Sequence, residues 1–79
     1  MTYYFQWLST ENDERVIKRL KERQGYAGFK LVEGKVGELE GEKILQVKIE
    51  WSGDQSERPH PLWKEMIRAG GEIHAYMMD

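Results

Sequence analysis

The chain has no cysteine among its 79 residues. That excludes disulfides, a thiolate nucleophile and a zinc finger of the usual cysteine type. No apolar run comes near the roughly 18 residues that a membrane-spanning helix needs. The opening residues lack a basic region followed by an apolar stretch, so no secretory signal is expected. Together these absences favour a reducing, cytoplasmic setting without membrane association. Basic residues are also too few to dominate: 12 Lys and Arg stand against 14 Asp and Glu, for a formal net charge of −2. A polyanion would be repelled by most of such a chain.

What is present belongs to a small globular protein. Apolar residues make up 39% of the chain, and three Trp, four Tyr and two Phe are enough to fill a real core. A length of 79 residues allows one domain spanning 1–79, with a core that is only marginally stable for its size. Charge is uneven along the chain. Residues 1–14 carry −3, residues 15–30 carry +5, residues 31–57 carry −4, and residues 58–79 balance.

Residues 3–8 are rich in aromatics and read as a strand. Tyr3, Phe5 and Trp7 share one face and Tyr4, Gln6 and Leu8 the other, so both faces are substantially apolar, as in a central strand. Ser9 and Thr10 offer capping hydroxyls, and Glu11, Asp13 and Glu14 place negative charge at a helix start. The Thr10 to Asp13 spacing resembles a capping box. Val16, Ile17 and Leu20 form a narrow helical stripe, and Gly25 is the expected stop.

Residues 26–32 and 43–51 read as strands. In the second, Leu45, Val47, Ile49 and Trp51 alternate with Ile44, Gln46, Lys48 and Glu50. The glycine-rich stretch between them fits a long hairpin turning at Glu40-Gly41, or a tighter turn at Gly34 followed by an extra short strand. The long hairpin pairs Glu38 with Lys43 and Glu33 with Lys48, which satisfies charge and favours it. Pro61 opens a second helix whose apolar face is Leu62, Trp63, Met66, Ile67 and Ala69, ended by Gly70-Gly71. Residues 72–78 close the chain as a strand, with Ile73, Ala75 and Met77 expected inward and His74, Tyr76 and Met78 outward.

The order strand, helix, strand, strand, helix, strand predicts an α+β fold. Short connections and right-handed crossovers favour the ferredoxin-like split βαβ sandwich, a four-stranded antiparallel sheet with two helices on one face.

Catalytic signals are weak. Ser9, Thr10, Ser52 and Ser56 are the candidate nucleophiles, and His60 and His74 the imidazoles. A triad built from Ser52 or Ser56, His60 and Asp54 or Glu57 would draw on one short loop, whereas catalytic preorganisation needs rigid elements. No histidine spacing holds a metal, and no glycine pattern precedes a helix as a phosphate loop does. No metal or other cofactor is expected.

RNA-recognition modules share this element order, but they stack bases on third-strand aromatics. Here the outward third-strand positions are Ile44, Gln46, Lys48 and Glu50, so nucleic acid is a poor partner. Arg15, Lys18, Arg19 and Arg23 still make a basic helix face that could grip an anion.

The leading expectation is a non-enzymatic interaction or regulatory module, in size like some virus-encoded inhibitors. It would present its outer sheet face to a protein partner or to a second copy in a homodimer. Tyr4, Leu8 and Tyr76 would be anchors, with Gln6, Gln46, Lys48 and His74 orienting the partner. The alternatives are a small dimeric ligand-binding protein or enzyme using the 52–60 loop, and an anion or nucleic-acid binder using the basic helix over 15–23.

Overall fold

A computed structural model describes residues 1–53 and 61–78 of the chain. Its elements are β1 (Thr2–Leu8), α1 (Asp13–Ala27), β2 (Phe29–Leu39), β3 (Glu42–Trp51), α2 (Pro61–Gly70) and β4 (Ala75–Met78). The strands form one antiparallel sheet in the order β2-β3-β1-β4. The class is therefore α+β, and β1 is an inner strand, as its two apolar faces predict.

The core lies on one face of this sheet. Tyr3, Phe5 and Trp7 of β1 and Leu45, Val47, Ile49 and Trp51 of β3 are buried there. Val16 and Leu20 of α1 and Leu62, Met66 and Ala69 of α2 belong to the same cluster, so both helices cover that face. Among the described residues, no helix covers the other face.

The start of α1 works by the acidic half of the expected capping box. The Thr10 backbone N–H donates to Asp13 Oδ1 at 3.0 Å, and the Ser9 hydroxyl donates to the other carboxylate oxygen of Asp13. The Thr10 hydroxyl accepts from the Asn12 backbone N–H at 3.1 Å. The end of α1 differs from expectation. The helix passes through Gly25 and stops at Gly28, whose φ of 76° is left-handed. One glycine inside a helix costs only about 1 kcal/mol. The added turn brings Ala27 against the core. Just before it, the Gln24 side chain accepts a hydrogen bond from the Leu31 N–H at 3.0 Å.

Between β2 and β3 the structure adopts the long hairpin. Glu33 pairs with Lys48 and Glu38 with Lys43. Glu40 and Gly41 form the turn with φ of 51° and 82°, the double positive φ that a tight hairpin turn demands. The register slips once, between Leu31 and Glu33, leaving Val32 as an extra residue.

β4 is shorter than expected and its faces are reversed. Ile73 packs on the core as predicted. The next two residues both meet Gln6, however. The His74 N–H donates to the Gln6 carbonyl at 2.8 Å, and Ala75 is the register partner of the same residue. That two-against-one count is the count of a bulge, and it inverts every later position. Tyr76 then lies opposite Phe5, and Met78 opposite Tyr3, on the helix-covered face. Ala75 and Met77 turn to the uncovered face, not to the core.

Candidate functional site

The uncovered sheet face is built by parity of the strand pairing. Tyr4 pairs with Lys48, Gln6 with Gln46 and Leu8 with Ile44, so these six residues of β1 and β3 share it. From β2 come Glu33 and Lys35, partners of Lys48 and Gln46. Met77 joins from β4 as the partner of Tyr4.

Its centre is amphipathic. Lys48 places its ammonium 5.8 Å from the Tyr4 ring centroid, within cation–π range. Tyr4, Gln6, Gln46 and Lys48 are half-buried, and Lys35 and Glu33 pair at 3.7 Å. Tyr4, Glu33, Lys35, Gln46 and Lys48 surround a shallow depression. Toward the hairpin the face becomes apolar. Leu8 is 50% exposed and Leu39 44% exposed, while Ile44 is buried. His74 reaches the same side, its Nε2 3.7 Å from Glu42 of β3.

Of the seven residues expected to form this surface, Tyr4, Gln6, Leu8, Gln46, Lys48 and His74 are brought to one side of the sheet. Tyr76 is not. It stacks on Phe5 with ring centroids 5.5 Å apart, and meets Trp63 edge-on at 4.7 Å. Met77 takes the outward place instead. The bulge at His74 leaves no mark on apolar alternation, so Met77 was invisible to the sequence. Leu39 was within reach, because the pairing of Glu38 with Lys43 also sets Leu39 against Glu42.

The basic helix face is partly engaged. Arg23 grips Glu65 of α2 with two hydrogen bonds, Nε at 3.2 Å and Nη2 at 2.9 Å. Arg19, Glu22 and Arg68 line the same cleft between the helices, with Arg68 3.8 Å from Glu65. The hydrogen bond from Arg23 holds the Glu65 carboxyl below its usual value, against the opposing effect of burial. Arg15 and Lys18 are exposed.

For the other chemistries, Ser9 and Thr10 are occupied at the start of α1, as above. His60, Ser56, Asp54 and Glu57 lie outside the described residues, as does most of the 52–60 loop. Among the described residues, no three His, Cys, Asp or Glu side chains gather in a metal-binding group. No helix among them is long and apolar enough to cross a membrane. Comparison with protein families, with curated proteins and with solved structures finds no match to this chain.

Proposed function

We propose that the chain is a ferredoxin-like split βαβ sandwich acting as a non-enzymatic protein-interaction module, with its uncovered sheet face as the docking surface. The element order β-α-β-β-α-β and strand order β2-β3-β1-β4, with both helices on one face, support the fold. The observation that carries the function is the make-up of the uncovered face. It sets exposed Leu8, Leu39 and Met77 around half-buried Tyr4, Gln6, Gln46 and Lys48. Exposed aliphatic and methionine side chains beside tyrosine give this face the aromatic and methionine content in which protein interfaces are enriched. Tyr4 and Leu8 are the anchors, and Gln6, Gln46, Lys48 and His74 orient the partner by hydrogen bonds.

The test is capture of partners from an extract of the source cells by the wild-type protein and by Tyr4→Ala/Leu8→Ala. Both substitutions lie on the face without helices, so the circular dichroism spectrum of the double variant should match wild type. Loss of the captured proteins from the double variant is the expected result. Equal capture by both would place the interaction elsewhere.

A further inference from the structure

The two edges of the sheet are protected very differently. β2 is one edge, and it carries Lys30, Glu33, Lys35 and Glu38, with a register slip at Val32. Charges and bulges of this kind discourage another strand from pairing. β4 is the opposite edge, and its sequence Ala75-Tyr76-Met77-Met78 carries no charge; its bulge, at His74 and Ala75, lies at the start of the strand and leaves Tyr76 to Met78 in regular register. Among the described residues, no strand pairs with its far side.

The hydrogen-bond pattern shows which groups of that edge are available. Ser9 N–H donates to the Lys43 carbonyl and Trp51 N–H to the Met1 carbonyl, each at 3.0 Å. Odd-numbered residues of the first strand therefore bond toward β3. Even-numbered ones bond toward β4, as the bond from His74 to the Gln6 carbonyl shows. Ala75 and Met77, the partners of Gln6 and Tyr4, point their main-chain groups inward. The N–H and C=O groups of Tyr76 and Met78 point out of the sheet edge.

An apolar shelf accompanies these groups. Tyr76 and Met78 are 47% and 49% exposed on the helix side. Trp63 of α2 leans edge-on against Tyr76, and Ile67, four residues on and 43% exposed, shares its side of that helix.

The geometry points to β4 as a self-association edge: two copies of this chain pair their fourth strands antiparallel about a two-fold axis at Met77. That register sets Tyr76 opposite Met78 of the copy, so the outward groups of both are exchanged as main-chain hydrogen bonds. A second copy is the occupant the charges favour. A two-fold axis sets like surface near like, and Trp63, Ile67, Ala75, Tyr76, Met77 and Met78 carry no charge to repel. The same operation at β2 would bring a strongly charged edge against itself. The site shares Met77 with the docking face proposed above, but it works through the outward main chain of Tyr76 and Met78 and not through Tyr4 or Leu8.

Sedimentation over a wide concentration range tests this on wild type, Met78→Pro and Tyr4→Ala. Proline at 78 removes an outward N–H and leaves the inward bonds of Met77 in place. The expected result is a wild-type dimer whose dissociation constant rises at least tenfold in Met78→Pro and is unchanged in Tyr4→Ala. A wild type that stays monomeric, a dimer indifferent to Met78→Pro, or one lost with Tyr4→Ala would overturn the inference. Amide exchange on the wild type decides the matter if Met78→Pro fails to fold. The Tyr76 and Met78 amides should gain protection with concentration, whereas Ala75 and Met77 are protected throughout. Failure of this association leaves the docking-face reading intact, because that reading is tested by capture on Tyr4 and Leu8.

Discussion

Gly25 and Gly70 both lie in helices, yet their surroundings make opposite demands. A Cβ at Gly25 would meet nothing within 4 Å, whereas one at Gly70 would stand 2.6 Å from the Trp7 indole. That indole cannot retreat, being buried and tied through Nε1 to the Gly71 carbonyl at 3.2 Å. Gly25→Ala should therefore stabilise the protein by about 0.5–1 kcal/mol, by helix propensity and a less flexible unfolded chain. Gly70→Ala should destabilise it by about 1–3 kcal/mol through overpacking. Urea denaturation of the two variants checks both signs at once. Tyr3 provides an alkaline counterpart. Burial, then the neighbouring Tyr76 phenol, push its pKa above the ordinary 10.0. The folded state thus holds the proton longer than the unfolded chain does. Stability from this group is complete below pH 10 and is lost as pH rises through the folded-state value. Tyr3→Phe should lack that alkaline slope in thermal melts.

Between elements, the described polar tie joining the two helices is Arg23 to Glu65. Because the Glu65 pKa is lowered, chiefly by the Arg23 hydrogen bond, its contribution is present above the ordinary carboxylate value. It is lost as pH falls through the folded-state value. The stability gap between wild type and Glu65→Gln should accordingly be constant near neutrality and close in acid, as followed by melts across that range. Glu65 is mostly shielded by the helices, but Arg23 is well exposed, so the gap will be modest. The hairpin turn makes a separate demand. Glu40 holds a φ of 51°, which asparagine adopts more readily than glutamate. Glu40→Asn should raise the unfolding midpoint slightly in the same melts. Each helix and hairpin was legible from local signals such as Pro61, Gly70-Gly71 and Glu40-Gly41. The stop of α1 was not, because two glycines three residues apart satisfy the same local rule. Contact of Ala27 with the core decided between them.

For the whole molecule, stability rests on a single described cluster between the sheet and the helices. Leu45 at its centre is fully buried. Leu45→Ala should cost about 2–5 kcal/mol, a large part of the total available to a chain of this size, and denaturant titration will show it. The uncovered face is where whole-molecule geometry and sequence pattern part company. Six of its expected residues follow from strict alternation in β1 and β3, whose register holds without a break. Tyr76 does not, because alternation counts residues and the bulge at His74 consumes one without changing composition.

The sequence by itself determined the α+β class, the order of the elements and the buried faces of β1 and β3, and it favoured the long hairpin over a tighter turn with an extra strand. These depend on periodicity, turn chemistry and cross-strand charge, all of which are local or nearly so. Only the tertiary structure decided that Arg23 binds Glu65, that Tyr76 packs inward and Met77 faces out, and that β4 ends the sheet as an uncharged edge. Each of those outcomes depends on which residues from distant parts of the chain meet. A single-residue slip reverses a strand without altering any pattern along it.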